Sequence, residues 1–273
     1  PFGSASSSLA EGTTNMSKLH FIFDKNKKSK DFQKRLSKKI KNFSPSRSDC
    51  IVVFGGDGFM LKVLKKFFKY KKPFYGVNCG TYGFLMNNSN IDHLEKKIDK
   101  SNKTTINSLT VSCSYGNGLK KKLIAINEIS IFRQSKQTAS LQISVGQKQI
   151  IKKLIGDGVL VSTPAGSTAY NLSVHGPILP LNSGKLAITP ISPFRPRRWK
   201  GRVISNKSVV KIKNLNSKKR PIAAVADNIE LRNVKSVSIK RDKKINIKLL
   251  FDKNRSLVKR IKSEIKRQKS SKK

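Results

Sequence analysis

The sequence predicts an α/β domain with a parallel sheet, followed by a β-rich domain of the sandwich type, and three observations support this fold class. Short apolar runs alternate with helical patterns in residues 16–102. In residues 103–252 apolar residues instead alternate with polar ones, in short segments between turns. Strands that alternate with helices build parallel sheets, and successive short strands build sandwiches or barrels. No apolar run approaches the roughly 18 residues of a membrane helix, so we expect no membrane association.

The predicted elements of the first domain are three strands with a helix after each of the first two. The strands are the apolar runs Leu19–Phe23, Ile51–Phe54 and Phe74–Val77. A helix between successive strands is the connection that a parallel sheet requires. The helices are predicted from apolar residues three or four positions apart, which are Phe32, Leu36, Ile40 and Phe43 in the first and Met60, Leu61, Leu64, Phe67 and Phe68 in the second.

The second domain and the two termini complete the prediction. Residues 1–15 are small and nearly uncharged, and we interpret them as a disordered leader or an artificial or misassigned start. Residues 253–273 are interpreted as a basic helix that packs back on the first domain through Leu257, Ile261 and Ile265. A leading proline predicts a helix at Pro164–Val174, and alternation predicts strands at Ile124–Ile126, Ile129–Ile131, Val209–Ile212 and Ile245–Leu249.

Charge and cysteine content restrict the functional classes. Lysine and arginine number 58 against 15 acidic residues, which gives a formal net charge of +43. A field of this sign attracts nucleotides. The lysines are spread over nearly the whole chain, which favours a solvated basic surface over a specific nucleic-acid interface. The cysteines Cys50, Cys79 and Cys113 are far apart in the sequence, which excludes a disulfide framework and suits a reducing cytoplasm.

The segment Gly55–Gly58, with the sequence Gly-Gly-Asp-Gly, joins a predicted buried strand to a predicted helix. Glycines at such a junction let the backbone approach a phosphate, and the helix N-terminus faces the anion. Asp57 would repel phosphate, so its carboxylate suits a base for a hydroxyl or a group that faces a metal. The alternative is that Asp57 only caps the helix. Lys62 is placed to reach back towards a phosphate, with a plain surface lysine as the alternative.

Two further segments carry polar groups suited to a nucleoside. Gly156–Tyr170 reads as a strand, a turn rich in Gly, Ser and Thr, and a helix start. Its hydroxyls and small side chains suit a nucleoside lying against the backbone, with Tyr170 available for packing, and a well-capped helix is the alternative. Asn127 and Glu128 lie within the apolar segment Leu123–Phe132. A regular strand would point them to opposite faces, where they could bind ribose hydroxyls or form a structural cross-strand pair.

Other catalytic chemistries fit the sequence badly. His20, His93 and His175 are remote from one another and from any cysteine pair, so we expect no protein zinc site. No serine lies in a nucleophile-elbow sequence, and no glycine-rich loop ends in Lys-Ser or Lys-Thr as a standard P-loop does.

Taken together, these segments resemble the ATP-dependent NAD kinases over roughly Lys18–Phe251. The Gly-Gly-Asp-Gly loop is shared with lipid kinases, whereas the sequence Thr-Pro-Ala-Gly-Ser-Thr-Ala-Tyr at residues 163–170 is far more specific. Ala187–Trp199 is similar to the alphaproteobacterial branch of the family. The resemblance rests on four segments in the family's order, which are Gly55–Gly58, Asn78–Leu85, Asn127–Glu128 and Asp157–Asn171.

The resemblance implies a Rossmann-like N-terminal domain and a C-terminal β-sandwich that binds NAD. The implied reaction transfers the γ-phosphoryl group of ATP to the 2′-hydroxyl of the adenosine ribose of NAD. Asp57 matches the family's catalytic aspartate, Gly58 its neighbour, and Lys62 a position where many members are basic. Asn127 and Glu128 match the pair that holds NAD. The remaining matches are Asp157 at the nicotinamide-side ribose, Ala165 in the pocket wall, and Thr168, Ala169, Tyr170, Asn171, Leu172 and Ser173 beside the adenosine half.

The resemblance also implies Mg²⁺ or another divalent cation that arrives with ATP, a homo-oligomer (dimer or tetramer), no specific nucleic acid, and a cytoplasmic enzyme. Two positions depart from the family pattern. Phe59 replaces the usual threonine, and Asp227-Asn228 replaces the usual Asp-Gly, so no role is assigned there. The alternatives are a lipid or other small-molecule kinase that shares the glycine loop, and a basic nucleic-acid-binding protein with vestigial kinase motifs.

Overall fold

The computed structural model describes residues 18–38, 40–81 and 83–253. The predicted leader and residues 254–273 of the predicted C-terminal helix lie outside these ranges. Parallel strands β1 (Leu19–Phe23), β2 (Cys50–Gly55) and β3 (Phe74–Asn78) alternate with helices α1 (Lys27–Ser37) and α2 (Asp57–Phe67), which confirms the predicted strands and helices of this half.

Two helical details differ from the prediction. Helix α1 ends at Ser37, so Ile40 and Phe43 lie beyond it, because the chain there turns back to β1 and the Phe43 N–H donates to the Leu19 carbonyl. A short helix, α3 (Leu94–Asp99), was not predicted. It is less than two turns long, which is too short for a helical pattern to stand out.

The remaining strands form the predicted β-sandwich. Their bounds are β4 (Asn102–Ser114), β5 (Lys120–Ala125), β6 (Glu128–Arg133), β7 (Ala139–Val145), β8 (Lys148–Gly156), β9 (Gly158–Ser162), β10 (Lys185–Ile191), β11 (Arg202–Ser205), β12 (Val210–Asn214), β13 (Ile222–Ala226), β14 (Ile229–Leu231) and β15 (Ser236–Phe251), and a last helix, α4, spans Tyr170–Ser173.

These strands form two sheets that pack on each other. One sheet has six antiparallel strands in the order β11-β10-β9-β6-β13-β14. The other has nine strands: seven follow the path β1-β2-β3-β15-β12-β7-β8, β4 pairs with β15, and β5 pairs with β4. Buried side chains of both sheets, such as Ile129 and Ile143, form one core between them.

Strand β15 joins the two halves of the molecule into one sheet. Its last residues, Leu249 and Leu250, pair in parallel with Phe74 and Tyr75 of β3, while its first residues pair with β4 and β12. Without β15, strand β3 would be an open edge with unpaired backbone groups. The domain boundary near residue 102 therefore stays a prediction, because β4 and β15 run side by side through both halves.

A shared apolar core lies under one face of the parallel strands. Val53 of β2 and Met60 and Leu64 of α2 pack there with Ile126 and Ala165 from the β-rich half. Because both halves contribute to this core, the start of α2 is held in a fixed position against the polar segments of the second half. Among the described residues, no helix is both long and apolar enough to cross a membrane.

Gly158 of β9 lies close against the backbone of β6, and this gives a test of the fold. A Cβ at Gly158 would lie 1.9 Å from the Ile131 carbonyl oxygen, whereas a Cβ at Gly76 would meet the side-chain ends of Met60 and Met86 at 2.6 and 2.7 Å. Backbone cannot move aside easily, but methionine ends can. We expect Gly158→Ala to cost more than about 2 kcal/mol of unfolding free energy and Gly76→Ala about 1 kcal/mol, measured by denaturant unfolding. Equal losses would contradict this packing.

Candidate active site

The glycine-rich loop places Asp57 at the start of α2, but not as its cap. Gly56 occupies the capping position, which has no side-chain capping bond. The Asp57 carboxylate instead accepts the backbone N–H groups of Phe84 at 2.7 Å and Leu85 at 3.0 Å. These contacts bring Asn78–Leu85 onto the glycine loop, except Tyr82, which lies outside the described residues. These two bonds fix the Asp57 carboxylate at the start of α2.

Asn127 and Glu128 lie at a bend rather than within one regular strand, which corrects the sequence prediction. Strand β5 ends at Ala125 and β6 begins at Glu128, and the two strands belong to different sheets. The Asp227 carboxylate accepts the N–H groups of Ile126, Asn127 and Glu128 at 2.9, 2.8 and 3.3 Å. Successive N–H groups of a regular strand point in opposite directions, so one carboxylate can bind all three only where the chain bends.

Asp227 is itself held by a lysine from the first half of the chain. It lies in the turn between β13 and β14 with a left-handed φ of 52°, which aspartate tolerates better than most residues. Lys65 Nζ of α2 is 2.8 Å from Asp227 Oδ2, and their side chains are 19% and 3% exposed. The sequence assigned no role to Asp227, and nothing in the sequence distinguished Lys65 from the other lysines.

Two buried oxygens at the bend lack a hydrogen-bond partner. They are Asn127 Oδ1 and Glu128 Oε2. Burial raises the pKa of Glu128 to about 8, the Asp227 carboxylate adds to this rise, and Lys65 opposes it. Leaving buried polar atoms unpaired is costly, so these oxygens fit a site that receives hydrogen-bond donors from a ligand.

These features meet in one cleft of about 420 Å³. The structure thereby brings together the predicted residues Gly58, Lys62, Asn127 and Glu128, with Asp57 adjacent to Gly58 in the loop. Three polar residues without a predicted role also line it: Asp24, which follows β1, Asp227 and Asn228. The full lining is Asp24, Gly58, Phe59, Leu61, Lys62, Asn127, Glu128, Asp227 and Asn228.

The Thr163–Ser173 segment rests directly on Asn127. The Thr163 N–H donates to the Asn127 carbonyl at 2.9 Å, and a Cβ at Gly166 would lie 2.2 Å from that oxygen. The predicted helix at Pro164–Val174 is instead a 3₁₀ turn at Gly166–Thr168 followed by α4. The Thr163 hydroxyl accepts the Gly166 N–H at 3.1 Å, as a helix N-cap does. The helical path is interrupted at Ala169, whose backbone is not helical, with φ −96° and ψ −131°.

Asn171, one of the predicted binding residues in this segment, uses its side chain for hydrogen bonds within the protein. Asn171 is fully buried. Its amide nitrogen donates to the carbonyls of Ser167 and Pro177, and its oxygen accepts the Thr189 hydroxyl at 2.7 Å. The Asn171 side chain therefore holds the segment in shape. Ala165 and Thr168 are buried, Ala169 and Leu172 are half-buried, and Ser173 is exposed.

Asp157 and Tyr170 form a second polar area. Neither is among the described residues that line the cleft. The Asp157 carboxylate pairs with Arg133 Nε and remains 38% exposed. The Tyr170 ring packs against Phe132 with centroids 5.8 Å apart. Burial raises the pKa of the Tyr170 phenol, and the carboxylates of Asp157 and Glu128 add to this rise. Among the described residues, no group of three or more His, Cys, Asp or Glu side chains is arranged to hold a metal ion.

Comparison with known proteins places this site in a family. The ATP-NAD kinase N-terminal domain matches residues 5–106, and the ATP-NAD kinase C-terminal domain matches residues 126–240. The NAD kinase of Brucella melitensis is 44% identical over 246 residues, which cover 90% of this chain and 96% of the relative. The NAD kinase of Rickettsia bellii is 42% identical over 247 residues, with 90% and 97% covered. This chain belongs to the NAD kinase family.

Membership of the NAD kinase family confirms the resemblance seen in the sequence, including its alphaproteobacterial character, and decides against the lipid-kinase alternative. Two solved structures share the fold. An NAD kinase from Archaeoglobus fulgidus in complex with ATP has a TM-score of 0.71 and 23% identity, with 91% of this chain and 98% of that chain covered. A yeast NADH kinase complexed with NADH has a TM-score of 0.71 and 21% identity, with 82% and 68% covered.

The raised pKa of Glu128 gives a test of its burial in this NAD kinase. Folding raises that pKa from 4.5 to about 8, so between these pH values the folded protein keeps a proton that the unfolded chain has lost. Stability therefore falls as pH rises through this window. In Glu128→Gln this dependence is absent, so the variant's Tm relative to wild type should rise from pH 5 to pH 8 and then level off. Glu230→Gln, which changes an exposed glutamate, is the control, and a flat difference for Glu128→Gln would contradict the burial.

Proposed function

We propose that this protein is an NAD kinase that transfers the γ-phosphoryl group of ATP to the 2′-hydroxyl of the adenosine ribose of NAD, which yields NADP. One structural observation supports this proposal in addition to family membership. The loop that bears Asp57 borders the cleft that Asn127 and Glu128 line, and each of these two residues has a buried side-chain oxygen without a partner. This arrangement would bring together the three parts that the reaction needs: a loop that binds phosphate, a proton acceptor, and hydrogen-bond acceptors for a polar nucleoside.

The proposed mechanism asks the protein mainly to position and to stabilise charge, as phosphoryl transfer does in general. The backbone of Gly56–Gly58 and the N-terminus of α2 would bind phosphate oxygens. Lys62, which is exposed at the cleft, would offset phosphate charge. Asp57 would accept the proton of the ribose hydroxyl as phosphoryl transfer proceeds. A divalent cation such as Mg²⁺ would enter with ATP, held mainly by phosphate oxygens.

The acceptor dinucleotide is proposed to bind across the bend. Asn127 Oδ1 and Glu128 Oε2 would accept hydrogen bonds from NAD, since both are buried and unpaired. Asp157 would bind the nicotinamide-side ribose. Ala165 and the backbone and small side chains of residues 168–173 would lie against the adenosine half, with Tyr170 packing beside it and Asn171 acting by holding that segment.

Assembly and location are also proposals. Val203 of β11 and Ile229 of β14 are both 43% exposed on the two edge strands of the six-stranded sheet. Open edge strands that each expose an apolar residue support a homo-oligomer, a dimer or tetramer, because their unpaired backbone groups favour pairing between copies. All three cysteines are free and buried, which supports a reducing compartment such as the cytoplasm.

The direct test is to incubate the purified protein with ATP, Mg²⁺ and NAD and to detect NADP with an NADP-specific dehydrogenase. We expect NADP to accumulate only when all three are present. A folded, Mg²⁺-supplied protein that forms no NADP would overturn the proposed function.

Asp57→Asn tests the proposed base. Asparagine cannot take a proton at neutral pH, so turnover should fall by about 10²–10⁴-fold. The amide also leaves the N–H of either Phe84 or Leu85 without an acceptor, so we expect a modest loss of Tm beside the loss of turnover. Steady-state kinetics and NAD binding by calorimetry on the same variant check this.

The matched control for that experiment is Asp242→Asn. The Asp242 carboxylate also accepts a backbone N–H, from Lys244, together with the Thr110 hydroxyl, and it lies outside the cleft. This variant should keep turnover within about twofold of wild type. If Asp57→Asn also kept turnover within a few-fold, Asp57 would not be the base.

A further inference from the structure

The Lys65 ammonium group lies among three oxygens of a single turn. Besides Asp227 Oδ2 at 2.8 Å, it contacts the Ala226 carbonyl at 3.3 Å and Asn228 Oδ1 at 3.4 Å. An ammonium group has three N–H donors, so this arrangement uses the full donor set of the lysine. Its side chain is only 19% exposed, which distinguishes it from the exposed lysines Lys62 and Lys66 on the same helix.

The oxygen partners of Lys65 control the backbone of the acceptor site. Asp227 accepts the N–H groups of Ile126, Asn127 and Glu128, and those bonds create the bend between β5 and β6. The orientation of these peptide groups fixes the backbone positions from which the side chains of Asn127 and Glu128 extend. A displacement of Asp227 would therefore move both unpaired oxygens of the acceptor site together.

Lys65 also belongs to the helix that begins at Asp57, eight residues earlier. At 1.5 Å per residue, the two lie about 12 Å apart along the helix axis. One rigid helix thereby carries the proposed base at its N-terminus and, near its C-terminus, the cation that anchors the β13–β14 turn. The cation also acts on a second acidic group, because Lys65 lowers the pKa of Glu128 while Asp227 raises it.

We propose that Lys65 is a positioning residue for the acceptor: through Asp227 it holds Asn127 and Glu128 in the geometry that binds NAD and ties that geometry to the helix carrying Asp57. This inference rests on the proposed function and deepens it. It predicts a selective effect, because ATP would bind at the other end of α2. A residue with a merely structural role would lower the amount of active enzyme without changing one substrate's affinity more than the other's.

The test compares Lys65→Met, Lys65→Arg and Lys66→Met. Lys65→Met removes the charge and leaves Asp227 buried without its cation, so we expect the KM and the calorimetric Kd for NAD to rise about tenfold or more, with the KM for ATP within about twofold. Lys65→Arg keeps the cation and should recover most of the NAD affinity. Lys66→Met removes an equal charge from the adjacent exposed residue and should match wild type. If Lys65→Met does not fold, Lys65→Gln replaces it, because glutamine keeps a donor without the charge. The same rise in the KM and Kd for NAD, with the KM for ATP nearly unchanged, is then expected.

The outcomes separate this proposal from the proposed function. NAD affinity in Lys65→Met equal to that in Lys66→Met, or a parallel loss for NAD and ATP, would overturn the role of Lys65 and leave the kinase assignment intact. If the wild-type protein binds NAD with this lysine dependence but forms no NADP, the kinase proposal fails and the positioning role stands. A wild-type protein that does not bind NAD overturns both.

Discussion

Hydrogen bonds from backbone N–H groups to carboxylates hold the cleft together. Asp57 binds two such groups on the loop after β3, and Asp227 binds three at the bend between β5 and β6. Bonds of this kind are stronger than those between neutral groups, and each joins segments that are far apart in the sequence. The backbone at both places is irregular, so its buried N–H groups would otherwise be unpaired. The carboxylates pair these groups and thereby fix the backbone around the cleft.

One apolar core packs against both the helix that starts at Asp57 and the bend that Asp227 holds. Met60 and Leu64 of α2 share that core with Ile126 and Ala165, which come from the segments proposed to bind NAD. Close packing transmits small displacements rather than absorbing them. The start of α2 and the bend therefore keep a fixed separation, as transfer between two bound substrates requires.

Acidic residues are scarce in this chain and several of them lie at the cleft. Of the 15 acidic residues, Asp24, Glu128 and Asp227 line the cleft and Asp57 lies at its edge. The positive net charge attracts anionic nucleotides from a distance, while the Asp57 and Asp227 carboxylates bind backbone N–H groups at the site. The large net charge and the acidic interior of the site thus have different roles.

The sequence by itself determined the order of the elements from β1 to β3, the two-part fold and the motif segments, because hydrophobic periodicity and glycine-rich junctions are local properties of a chain. It also indicated Asp57, Asn127 and Glu128 by residue type. Only the tertiary structure decided that Asn127 and Glu128 lie at a bend and that β15 joins the two halves. It alone identified Lys65 and Asp227, which are 162 positions apart in the sequence. A long-range ion pair leaves no periodic signal, and one buried lysine among many exposed ones becomes visible only when folding surrounds it with oxygens.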